Sequence, residues 1–187
     1  FNISPNRQKT IIGEDGWFFM AEKELEIYEG RLDFSQKQLD LFDNEWENRM
    51  HFLDSLGIKG YWMICPIKHY IYPEYLPKST KISNKQRRVD QLKDLLSTQY
   101  PNLIIDPAED LIKAKQTNEV YYKLDNHWNF KGGYIASQTL STRLRADFKD
   151  KTPESAMMQI RLRTALRLPE GVDITDEVLS ELGLEVQ

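Results

Sequence analysis

The sequence predicts an α/β layered fold, and three observations carry that prediction. Helical and strand-like segments alternate between residues 35 and 115 with short connections, as in a sheet covered by crossover helices. The strand-like segments, residues 58–65 and 103–106, are short and rich in β-branched and aromatic residues, which suits buried strands of a parallel sheet. The chain has 187 residues, 40% of them hydrophobic, enough for one domain with a core of its own. No apolar run approaches the roughly 20 residues of a membrane span, so no transmembrane helix is expected within it. A single cysteine, Cys65, excludes an intrachain disulfide, and His51, His69 and His127 show no zinc spacing, so neither metal nor cofactor is expected. A net charge of -4 argues against nucleic acid as the main partner, because phosphate contact wants a basic face. The sequence opens on Phe1 rather than methionine, which implies a start inside a longer reading frame or after a processed leader.

Two apolar runs flanking Gly13-Glu14-Asp15-Gly16 predict an N-terminal β-hairpin with Glu14-Asp15-Gly16 at its tip. A helix follows: Ser35 and Gln38 form a capping box, Phe34 and Leu39 a hydrophobic staple, and Gly57 a stop. Leu39, Phe42, Trp46, Met50, Leu53 and Leu56 give it one apolar face. The strand at 58–65 ends at Pro66, and the three prolines and three tyrosines of 66–81 preclude long regular structure. Ser83 with Gln86 predicts the cap of a second helix that runs out near Tyr100-Pro101. After the strand at 103–106, Pro107 stands at the first position of a short helix. Asn129 is the expected N-cap of a third long helix, with Ala136, Leu140, Leu144 and Phe148 stepping by four. From residue 141 to 168 seven basic residues face three acidic ones, whereas 169–187 holds six acids and no base, with Thr175 able to cap a last helix stopped by Gly183. The expected organisation is one α/β domain over 1–148 and a segment, 149–187, that either stands apart or completes it.

Chemistry is expected at Asp125-Asn126-His127-Trp128-Asn129. An acid two residues before a histidine can accept the imidazole Nδ1 hydrogen and leave Nε2 free as a base. The same spacing suits a polar helix-capping turn in which His127 merely packs, or, less well, two ligands of a metal site that lacks a third. Composition and spacing leave these open.

Three blocks narrow the choice. Gly13-Glu14-Asp15-Gly16-Trp17-Phe18-Phe19 is followed by Cys65-Pro66-Ile67-Lys68 with Ile71-Tyr72-Pro73-Glu74-Tyr75-Leu76-Pro77, and then by Tyr121-Tyr122-Lys123-Leu124-Asp125-Asn126-His127-Trp128-Asn129 with Gly132-Gly133. In that order they resemble the alginate O-acetyltransferase-like group of SGNH hydrolases, over roughly residues 11–148, and Asp-x-His-Trp is the specific part. The resemblance implies a flavodoxin-like three-layer α/β/α domain that works outside the cytoplasm, periplasmic, secreted or membrane-anchored. It also implies transfer of acetyl groups onto or off polysaccharides through a Ser-His-Asp triad. Asp125 matches the triad acid and His127 the triad base. The expected partners are a polysaccharide or acetylated sugar, an acetyl donor of unstated identity and other exopolysaccharide-modification proteins.

The nucleophile departs from the pattern. In this group the serine stands C-terminal to the Asp-x-His pair in a Gly-Asp-Ser turn, and no Gly-Asp-Ser occurs here. Ser137 and Ser141 fall inside the predicted third helix, and Ser155 and Ser180 have no glycine-rich strand-end turn. The sequence therefore reads either as an incomplete copy of the domain or as a member without its nucleophile, with little or no esterase activity alone. The rival reading is a non-catalytic carbohydrate-binding or assembly module on the same fold. Trp128, Tyr122 and Lys68 are the expected substrate-binding residues, although rings also build cores and a loop lysine is usually just solvated. Cys65 as a nucleophile for His127 competes with its reading as a small buried hydrophobe.

Overall fold

The computed structural model describes residues 9–82 and 86–149. The N-terminal hairpin pairs β1 (Thr10–Ile12) antiparallel with β2 (Phe18–Met20), placing Ile11 opposite Phe19. Its tip is a 3₁₀ turn at Glu14–Gly16 in which Asp15 (φ 51°) and Gly16 (φ 73°) take left-handed backbone, a region Asp and Gly tolerate best. A Cβ on Gly13 would lie 2.0 Å from the Tyr75 carbonyl oxygen, so only glycine lets the hairpin close on the segment after Pro66.

Helix α1 (Glu24–Tyr28) is short, and α2 (Gln36–Ser55) is long. The predicted α2 cap is present, with the Ser35 amide donating to Gln38 Oε1 at 3.0 Å, and Gly57 ends it at φ 67°. β3 (Trp62–Met63) runs parallel to β4 (Ile104–Ile105), in register Trp62 to Ile104 and Met63 to Ile105. The parallel pairing agrees with the sequence; the extent does not. Only two residues of 58–65 are regular, and that segment is half-covered rather than buried. Adjacent side chains of this segment face opposite layers. Trp62 stacks on Phe42 and Trp46 of α2, while Tyr61 donates its hydroxyl to Asp147, at 2.8 Å, on α6 (Phe130–Phe148). The sheet thus lies between α2 and α6, the α/β/α layering expected.

The prolines and tyrosines after β3 yield one turn of α3 (Lys68–Ile71) and a 3₁₀ turn at Pro73–Tyr75. The next helix, α4 (Arg88–Leu96), is not capped as predicted: the Asp90 carboxylate accepts the Arg87 amide at 3.1 Å. Ser83 lies outside the described residues, as do the helix expected near Thr175 and the segment from 150 on. Pro107 sits just before α5 (Ala108–Ala114) rather than within it, because the nearly covered carboxylate of Asp106 already accepts the Ala108 amide at 3.0 Å while pairing with Arg87 and Lys93, each at 2.8 Å. The main core gathers Trp17, Phe19, Tyr28, Ile71, Tyr72, Leu76, Leu111, Val120 and Tyr121, around the hairpin and the irregular segment rather than on α2. No helix among the described residues is long and apolar enough to cross a membrane.

Candidate active site

Residues 120–129 fold back on themselves. Tyr121 and Trp128 form an antiparallel bridge, the Tyr122 amide donates to the His127 carbonyl at 3.1 Å, and the Asn129 amide donates to the Val120 carbonyl at 3.1 Å. Residues 122–127 are the tip. Asn129 is the predicted N-cap, its Oδ1 accepting the Gly132 amide at 3.0 Å, and its Nδ2 reaches the Glu119 carbonyl at 2.8 Å. A Cβ on Gly132 would fall 2.1 Å from the Val120 carbonyl oxygen, so the glycine after the Asp-x-His-Trp block lets α6 start against the loop's base. Tyr121 anchors the loop further by donating its hydroxyl to the Pro66 carbonyl at 2.5 Å, and Tyr72 accepts the Val120 amide at 2.9 Å.

Asp125 and His127 meet at the tip. Asp125 Oδ1 lies 2.6 Å from His127 Nδ1 and also accepts the His127 backbone amide at 2.7 Å. A carboxylate accepts only, so the Nδ1 position carries the hydrogen and Nε2 is left with its lone pair. The imidazole is 78% exposed, which puts that lone pair within reach of a reactant. The backbone amide of His127 first, then its imidazole and the Lys68 cation, hold the Asp125 carboxyl below its usual range.

Beneath the tip the structure corrects one expectation. Lys68, expected to meet substrate, is fully buried, and its three Nζ hydrogens are shared among the carbonyls of Phe18 (2.7 Å), Tyr122 (2.8 Å), Lys123 (3.0 Å) and Asp125 (3.0 Å). Burial pulls its pKa down to about 8, opposed by the carboxylates of Asp125, Glu119 and Glu24. Two further residues had no signal in the sequence reading. Glu24 Oε1 accepts from Asn126 Nδ2 at 2.7 Å, and burial raises its carboxyl. His69, fully buried with Nδ1 3.5 Å from Glu24 Oε2, is pushed down to about 4 by burial, with the Lys68 cation adding to it.

The flanking candidates separate. Tyr122 is 43% exposed beside the dyad, whereas Trp128 is half-buried and packs against the main core. Cys65 lies at the surface as a residue, but partial desolvation of its sulfur raises the thiol, the wrong direction for a thiolate nucleophile. Ser137 donates to the Tyr134 carbonyl one turn back in α6, and Ser141 is buried in the same helix; Ser155 and Ser180 lie outside the described residues. Among the described residues no three of His, Cys, Asp and Glu gather where a metal ion could be held.

The family model of the SGNH hydrolase-like domain of the acetyltransferase AlgX matches residues 10–175. The chain belongs to this family. Among solved structures, the O-acetyltransferase domain of Pseudomonas putida AlgJ superposes with a TM-score of 0.55 at 20% identity, over 74% of this chain and 48% of that one. Bacillus cereus PatB1, solved with a sulfonyl adduct, gives 0.47 at 14% identity over 76% of this chain and 44% of its own. The chain therefore spans about half the length of these solved relatives. No match is found among curated protein sequences. The AlgJ likeness agrees with the SGNH-like α/β fold, and the three blocks around the dyad fall within the family match.

Proposed function

We propose that this chain supplies the acid and base of a Ser-His-Asp acetyl-transfer site acting on polysaccharide outside the cytoplasm. The observation that carries the proposal is the 2.6 Å contact of Asp125 Oδ1 with His127 Nδ1 on an exposed tip, in a chain of an acetyltransferase domain family. In this reading a serine Oγ attacks the acetyl carbonyl while His127 Nε2 takes its proton. The proton passes to the departing donor oxygen, leaving an acyl-serine. A sugar hydroxyl, or water in an esterase, then gives its proton to Nε2 and attacks the acyl carbon, and the serine recovers the proton as it leaves. Asp125 holds the imidazole in the required tautomer and stabilises the imidazolium between steps. The serine is assigned to a Gly-Asp-Ser turn that the 187 residues do not contain. The family match, running to residue 175, supports reading part of 149–187 as completing the same domain.

The test uses the complete reading frame and a chromogenic acetyl ester. His127→Ala is expected to lower turnover by at least about 10²-fold, the usual worth of a general base. Unchanged turnover in His127→Ala would remove the proposal. The 187-residue chain alone is expected to be nearly inert, and brisk turnover by it would place the nucleophile within it. A second reading, a non-catalytic saccharide-binding module, is favoured by exposed Tyr122, Phe130 and Tyr134 along the loop and the start of α6. Saccharide binding that survives both His127→Ala and Asp125→Ala, without ester turnover by the complete protein, would select it.

A further inference from the structure

Three of the four carbonyls that converge on Lys68 Nζ come from Tyr122, Lys123 and Asp125, within four consecutive residues of the tip. Carbonyl dipoles aimed at one point repel one another, and the tip keeps this conformation only with a positive donor at the focus. A water molecule has two hydrogens to give; an ammonium has three, and it carries the charge. The fourth acceptor, the Phe18 carbonyl, belongs to β2, whose Phe18 amide donates in turn to the Lys123 carbonyl at 2.9 Å. The lysine stem starts at the first residue of α3, and the Trp17 and Phe19 rings lie 4.8 and 5.1 Å from Nζ, closing the site on its other side. The hairpin, α3 and the tip are thus fastened at one atom.

We propose that Lys68 is the positioning residue of the dyad: by gathering the Tyr122, Lys123 and Asp125 carbonyls onto the hairpin, it sets the backbone turn that brings the Asp125 carboxylate to His127 Nδ1. The proposal rests on reading Asp125 and His127 as the catalytic pair. Lys68 touches neither imidazole nor reactant, and its effect passes through the peptide planes of the tip. Arginine is no substitute, because a planar guanidinium cannot aim donors at four carbonyls around one point in a filled site.

The experiment is NMR of the 187-residue chain, following the His127 Nδ1 hydrogen, assigned by its loss in His127→Gln. In the wild type this hydrogen is expected as a downfield signal, because it is held at 2.6 Å by Asp125. In Lys68→Met the signal is expected to disappear while the amide spectrum of α5 and α6 stays in place. A folded Lys68→Met that keeps the signal overturns the proposal. If Lys68→Met does not fold, the wild type is titrated instead upward from neutral pH through the loss of the Lys68 proton, which burial moves down to about 8. The charged groups facing Nζ are the carboxylates of Asp125, Glu119 and Glu24, with the His69 imidazole next in the chain. The amide shifts of residues 122–127 and the His127 signal are expected to change together as the ammonium, followed by its own Nζ shift, loses its proton, with α6 unmoved; their constancy across that deprotonation overturns the proposal. In the complete, acetyl-transferring protein, Lys68→Met is expected to lower kcat by about 10²-fold with KM little changed, the effect of misplacing a catalytic group. The imidazole signal reports geometry and His127→Ala reports chemistry, so the positioning role and the catalytic reading can fail separately.

Discussion

Helix α2 and the hairpin–loop region hold together in opposite ways. α2 is the most regular element, twenty residues with its capping box in place, yet none of its residues is buried, and Leu41, Phe52 and, just past its end, Leu56 are more than half exposed. The hairpin, α3 and residues 120–129 are regular only over three or four residues at a time, yet they contain Phe19, Lys68, His69, Ile71 and Val120, each under 2% exposed. Local hydrogen-bond periodicity and burial are separate sources of order. Here the candidate site sits on the second, in a knot of aromatic rings and carbonyl contacts between segments distant in sequence.

Core truncation should break the contrast most sharply. Leu111→Ala or Ile71→Ala, both fully buried beside the knot, are expected to lose about 2–5 kcal/mol in denaturant unfolding, whereas Leu41→Ala or Phe52→Ala on α2 should stay within about 0.5 kcal/mol. Equal losses would dissolve the distinction. Gly132→Ala drives a methyl into the Val120 carbonyl and is expected to cost about 1–3 kcal/mol by overpacking, with the loop amides shifting before those of α2.

Acid offers a gentler probe. His69 takes its proton at about 4 in the folded chain and near 6.5 when unfolded, so the unfolded chain binds more protons between those values. Stability should therefore fall as pH drops from 6.5 to 4. Glu24, raised by burial, offsets part of this just above its ordinary range, and Asp125, lowered, adds to the fall only below its own ordinary range. His69→Gln should flatten the slope; an unchanged slope would show that the knot does not hold a neutral imidazole. Smallest of all, Arg49→Ala removes an exposed pair with Glu45 on α2 and should move stability by less than about 0.5 kcal/mol.

What could be read from sequence follows the same division. α2 was legible because its cap, stripe and stop are local, and so were Asn129 ahead of α6 and the hairpin tip with its adjacent Asp and Gly. The parallel strands were legible in kind but not in length, because pairing depends on neighbours that a single segment does not specify. The start of α4 was misplaced because the Asp90 carboxylate serves as the local cap and Arg87 pairs with Asp106, nineteen positions along. The spacing of Asp125 and His127 left a dyad, a capping turn and a metal site open, the resemblance pointed to the dyad, and the structure brings the two side chains together. Lys68 did not show its burial, since its acceptors come from segments 50 to 57 residues away and nothing near position 68 announces them. Gly13 and Gly132 were part of the resembling blocks, and their reason is now physical: each lies where a carbonyl oxygen occupies the place of a side chain.

The central claim is that the carboxylate at 2.6 Å makes His127 a base for acetyl transfer. Its most direct test is acetyl-ester turnover by the complete protein carrying Asp125→Asn, a change that keeps the shape of the tip but removes the charge that fixes the imidazole tautomer. The account predicts a fall in kcat approaching about 10⁴-fold with the fold intact. Turnover equal to the wild type would contradict it.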